Sequence, residues 1–177
     1  MKTNNRKLRL LVTTKCPNKC PMCCNNSWDF SKLPVVSKWN YEEIMITGGE
    51  PLQYIVNTIN LIDNIRGITK LQGISPKIYV YTSIASFGKL FNIIETSDGV
   101  VLTPHSKKDV EDFIVINKYL LHYPPKNASL RLNLFPDIKE MLPEGIDLSL
   151  WQVKDMEWVK DCPVPEGEDF RRINNLW

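Results

Sequence analysis

Residues 8–26 read LRLLVTTKCPNKCPMCCNN. The first part, 8–14, is short, apolar and bounded by polar flanks, the pattern of a strand buried in a parallel sheet. Such a strand delivers the next residues to the carboxyl end of the sheet. Here those include Cys16, Cys20 and Cys23, with three residues between the first two and two between the second and third. The intervening chain is long enough to wrap a single metal centre, and Pro17 and Pro21 favour extended or turning backbone over helix. A structural zinc site would add a fourth Cys or His at a matching spacing. His105, His122 and Cys162 are instead single residues scattered along the chain. Three thiolates on a 4Fe-4S cube would leave one iron without a protein ligand, open to a small molecule. A zinc knuckle and unligated core thiols are the competing readings. Cys24 is read as a packing thiol, because adjacent residues do not easily point at one cluster corner, and Cys162 as a lone thiol.

The next informative stretch is 43–51, EIMITGGEP. An apolar run stops at Gly48 and Gly49, where missing side chains let the backbone approach a ligand closely, and Pro51 suits the first turn of a helix. With these residues in hand the chain resembles the radical S-adenosylmethionine (SAM) superfamily. C-x3-C-x2-C is that family's cluster motif, and TGGEP is similar to its second motif, one strand later. The resemblance implies Cys16, Cys20 and Cys23 as ligands of a 4Fe-4S cluster. It also implies SAM bound to the open iron through its amino and carboxylate groups, with Gly48, Gly49 and Glu50 holding the amino group. The residue before the third cysteine, usually aromatic in the family, is Met22, which bears on packing against the adenine and not on ligation.

Strand and helix alternate along the rest of the chain. Further strands are expected at 77–82, 99–103, 129–135 and 147–153, and helices at 52–66, 86–96 and 107–122, the last with Ser106 and Asp109 as an N-terminal capping pair. Residues 25–40 are irregular, 136–142 form a short helical turn, and 154–177 are read as a loop and cap on a single domain spanning 1–177. This order argues for an α/β fold with a parallel sheet, and the resemblance adds the form of a partial (β/α)6-type barrel. In open sheets ligands collect at the carboxyl ends of strands, so Thr82, Ser83, Thr103, His105 and Asn133 are candidate contacts for SAM or substrate. Polar residues at strand ends also serve as helix caps. Arg131, within an alternating strand, needs an anionic partner if it points inward and none if it faces solvent. Trp151, Trp158 and Trp177 are expected to close the bottom or side of the barrel.

The chain has 177 residues and a formal net charge of +2, too little to imply a nucleic-acid partner by itself. Residues 1–28 nevertheless hold Lys2, Arg6, Lys7, Arg9, Lys15 and Lys19 without an acid. LRLLV is too short for a signal-peptide core, no stretch approaches a membrane span, and clustered cysteines do not look like a secreted disulfide framework. A cytoplasmic protein is expected, with no membrane or nucleic-acid partner. The resemblance implies reductive cleavage of SAM by an external one-electron donor and hydrogen abstraction from a small molecule or a glycyl-radical partner protein. That step requires no general base, and no catalytic acid or base is assigned. The short length is similar to glycyl-radical activases and to 7-carboxy-7-deazaguanine synthase. However, LRLLVTTK lacks the glycine-rich approach of the former, and Thr103-Pro104-His105 only faintly echoes the Ser-Pro-Lys-like element of the latter. The alternative from another class is a non-catalytic Cys-metal module that binds nucleic acid through the basic arm.

Overall fold

The computed structural model describes residues 6–160 and 163–177. In chain order the elements are β1 (Lys7–Thr13), β2 (Glu43–Gly48), α1 (Ile55–Leu71), β3 (Lys77–Thr82), α2 (Phe87–Thr96), β4 (Gly99–Leu102), α3 (Lys107–His122), β5 (Ser129–Leu134), α4 (Pro136–Lys139), β6 (Gln152–Asp155) and β7 (Glu168–Arg172), with 3-10 turns at Cys24–Asn26, Phe30–Lys32 and Pro51–Tyr54. The strands form one sheet, ordered β6-β5-β4-β3-β2-β1-β7, and every pair is parallel. The fold is therefore α/β, built on a single open sheet.

From β1 to β6 each crossover advances one strand in the same direction. Right-handed connections then put the helices on one face. Leu8, Leu10, Ile44, Ile46, Ile78, Val80, Val100, Leu130 and Leu132 point to that face, where Ile62 and Ile65 of α1, Leu90 and Ile93 of α2, and Phe113 and Ile116 of α3 join them in the core. Full burial of each such side chain stabilises by about 1.5–3 kcal/mol. α3 starts as its capping pair requires: the Ser106 hydroxyl accepts from the Asp109 amide at 3.2 Å and donates to the Asp109 carboxylate at 2.8 Å.

Two expectations need correction. The alternation in 147–153 does not make a strand over that span. The Asp147 carboxylate accepts from the Ser149 amide at 2.9 Å, a local turn that competes with extension. Trp151 then turns into the helical layer, donating from Nε1 to Asn117 Oδ1 at 2.9 Å and packing edge-on against Phe113. β6 begins only at Gln152, so Trp151 seals the helix side, not the bottom of a barrel. The tail is also more than a cap. β7 pairs with β1 even though its sequence, EDFRR, has no apolar run. Its acids are answered locally, with Glu168 accepting from Arg9 at 3.0 Å and Asp169 accepting from Arg171 at 3.2 Å and from the Tyr41 hydroxyl at 2.7 Å. The outer edge of β7 is covered by residues 34–36, through Val36 N–H to the Arg172 carbonyl at 2.9 Å and Arg172 N–H to the Pro34 carbonyl at 3.0 Å. Among the described residues no helix is long and apolar enough to cross a membrane.

Candidate functional site

The cysteine loop leaves the carboxyl end of β1 and is held by its own side chains. Asn25 donates to the Thr14 carbonyl at 2.7 Å, Asn26 to the Cys20 carbonyl at 3.3 Å, and the Lys15 amide to the Thr13 hydroxyl at 3.1 Å. A turn with Cys23 N–H on the Cys20 carbonyl at 3.3 Å links the second and third cysteines. Cys16, Cys20 and Cys23 are free thiols, each partly exposed. Burial pushes the Cys16 thiol up and the Cys20 thiol up to about 11, and the neighbouring cysteines add to both shifts. The three sulfurs thus lie within electrostatic reach of one another. They are not drawn together, since among the described residues no three His, Cys, Asp or Glu side chains form a group able to hold a metal ion. As a donor set they suit a soft metal centre; closing on one would require the loop to tighten. Cys162 and the Cys24 side chain lie outside the described residues.

The Gly-Gly-Glu stretch meets this loop directly. A Cβ on Gly48 would stand 2.3 Å from the Thr13 carbonyl oxygen, and one on Gly49 only 2.1 Å from that of Lys15. The close approach that these glycines permit is therefore to the root of the cysteine loop. Gly49 N–H donates to the Thr13 carbonyl at 2.7 Å and Glu50 N–H to the Lys15 carbonyl at 2.8 Å. The Glu50 side chain is 1% exposed. Its Oε1 accepts from Leu52 N–H at 2.9 Å and the Thr82 hydroxyl at 2.7 Å, and its Oε2 accepts from both the amide and the hydroxyl of Ser83 at 2.8 Å. Four donors occupy the roughly four acceptor positions of a carboxylate. Glu50 thus ties β2 to β3. Asn18 extends the chain of bonds back to the cysteine loop by donating to the Ser83 hydroxyl at 2.9 Å.

No protein-family model and no curated protein matches this chain.

The remaining candidates fall into two places. Asn133 donates to the Thr103 hydroxyl at 3.1 Å, so each partly answers the other across β4 and β5. His105 faces the cysteine loop instead, across a cavity of about 190 Å³ lined by Asn18, Lys19, Cys20, Phe135, Asp137 and Trp158 among others. Its ring lies near Phe135 and stacks with Trp158, and Phe135 and Trp158 stack at 4.1 Å. Burial lowers the His105 pKa, against the pull of Asp109 and Asp137. Apart from Cys20, these neighbours are not marked as site residues by the sequence pattern. Asn18 is visible inside the cysteine motif, whereas Phe135 and Trp158 carry no signal beyond being aromatic. Trp177 packs near Tyr54 and accepts from the Thr13 hydroxyl through its carbonyl at 2.9 Å, which places it beside β1.

Proposed function

We propose that the chain is a radical SAM enzyme with a partial (β/α)6-type barrel, in which Cys16, Cys20 and Cys23 hold a 4Fe-4S cluster. With SAM bound, that cluster would supply reductive cleavage to a 5'-deoxyadenosyl radical for hydrogen abstraction. The observation that carries this reading is the junction of the two motifs: the Gly49 and Glu50 amides bond the root of the cysteine loop, and the Asn18–Ser83–Glu50 chain fastens the same loop to β3. Two stretches read separately from the sequence thus share one place at the carboxyl ends of β1, β2 and β3, where ligands of open sheets gather. The sequential order from β1 to β6 is also the order such a barrel requires.

In this reading Glu50 acts first as a positioning residue, fixing Thr82 and Ser83 beside the loop. Contact with the ammonium of SAM would require one of its present donors to yield. The His105, Phe135 and Trp158 rings wall the space next to Cys20. The alternative nucleic-acid module gives the Gly-Gly-Glu junction no role, and part of the basic arm is already answered: Arg6 pairs with Glu42, Lys7 with Glu43 at 3.5 Å, and Arg9 with Glu168 at 2.9 Å.

The test is anaerobic reconstitution with iron and sulfide counted, followed by incubation with dithionite and SAM and measurement of 5'-deoxyadenosine. About four irons per chain and product above a Cys20→Ala control are expected. A colourless zinc protein, or an intact cluster with bound SAM and no product, would overturn the enzyme reading for the isolated chain.

A further inference from the structure

The sheet face turned away from the helices carries a second cluster, and two of its donors have no oxygen to bond. The Arg131 guanidinium lies 4.4 Å over the Tyr79 ring. Among the described residues no oxygen accepts from it, and its nitrogens are left to solvent. Tyr81 shares a rung with Val101 and Arg131. Its hydroxyl donates to the Met45 sulfur at 3.6 Å, a weak acceptor. The other cations here are answered. Lys7 meets Glu43 and Arg9 meets Glu168, and Arg172 donates to the carbonyls of Leu33, Ile173 and Asn174. Lys154, on the edge strand, is exposed, where water and salt screen it. Between the two unanswered donors β4 presents only Gly99 and Val101, so a strip of small residues separates β3 from β5, about 10 Å apart.

We infer that Arg131, Tyr79 and Tyr81 form the receptor for the carboxylate of a small organic substrate. The planar guanidinium fork matches the two oxygens of a carboxylate, and Tyr79 holds that fork flat. Its single uncompensated charge matches a monoanion better than a dianionic phosphate. The Tyr81 hydroxyl gains an oxygen acceptor in place of sulfur. Arg131 lies two residues before Asn133 on β5, so a carboxylate held there sits about 6–7 Å inside the mouth, with the rest of the molecule directed toward the cysteine loop. The inference rests on the reading of that mouth as the reaction site, and the experiment separates the two.

4-Fluorobenzoate, 4-fluorobenzamide and 4-fluorophenyl phosphate are titrated into the full chain by 19F NMR. Wild type, Arg131→Gln, Arg131→Lys and Tyr81→Phe are compared, each checked for folding by near-UV circular dichroism, with SAM binding and cleavage measured on the same samples. The benzoate is expected to bind best of the three. Arg131→Gln should weaken it about tenfold or more, Arg131→Lys less, and Tyr81→Phe about threefold, with SAM binding unchanged in all. Equal binding of benzoate and benzamide, tighter binding of the phosphate, or an unchanged Arg131→Gln would overturn the receptor. So would loss of SAM affinity in Arg131→Gln, which would give the guanidinium to the SAM site. Absent SAM cleavage with benzoate binding still dependent on Arg131 would sink the radical reading and leave the carboxylate receptor standing.

Discussion

On the helix-bearing face of the sheet, β1 to β5 present only Leu, Ile and Val until the strands end. On the opposite face the same strands, one residue out of step, present Arg9, Met45, Tyr79, Tyr81, Val101 and Arg131. Alternation along a strand sends neighbours to opposite sides, so the two faces are independent in sequence although they share a backbone. The first is close-packed against α1, α2 and α3. The second is partly covered at the β7 end, where Trp28 and Phe30 pack on Phe170, and carries polar groups elsewhere. The larger apolar core thus lies on one side of each strand, and the other side mixes buried Leu11, Met45, Tyr79 and Val101 with polar groups. The two meet at Gly48, Gly49 and Glu50.

That division is exposed to failure in a definite order of effect. Gly49→Ala, at the meeting point, puts a Cβ against main chain with no flexible neighbour to yield. It should cost at least about 4 kcal/mol or prevent folding, read as loss of soluble protein or of the urea transition. Phe113→Ala, fully buried on the helix side, should cost about 3–5 kcal/mol in urea unfolding. Glu50→Gln replaces an acceptor with a donor among four buried donors and should cost about 2 kcal/mol; a variant as stable as wild type would show that the Glu50 bonds to Thr82 and Ser83 are not what joins β2 to β3. Arg131→Ala, on the polar face, loses a single cation-π contact and should cost less than about 1 kcal/mol. An Arg131 loss larger than the Phe113 loss would erase the distinction between the faces.

The first five strands were legible because their aliphatic runs end at Gly, Pro or capping residues, and the capping of α3 was legible from Ser106 and Asp109. β7 was not. Its apolar content is a single Phe170, and its pairing with β1 brings Glu168 to Arg9, a match between residues far apart in sequence that no local pattern announces. The strand at 147–153 was misplaced because Asp147 and Ser149 form a turn whose side chains mimic strand alternation. Both motifs of the site were legible as motifs. The partner of the glycine pair was not, since the missing side chains signal a close approach without saying whether ligand or main chain fills it. The polar face was half legible: Arg131 posed the question of an anionic partner, and only its stacking on Tyr79 with no oxygen acceptor sharpened it.

The pairing of β7 with β1 also sets a clock on biosynthesis. About 160 residues separate the two strands, so at about 5–20 residues per second the ribosome needs roughly 10–30 s to deliver the neighbour that β1 awaits. Through that interval the nascent β1 holds an unpaired edge, of the kind that recruits other chains. Arg9, which later meets Glu168, is then an uncompensated charge on that edge, and like-charge repulsion keeps neighbouring nascent chains from zipping onto it.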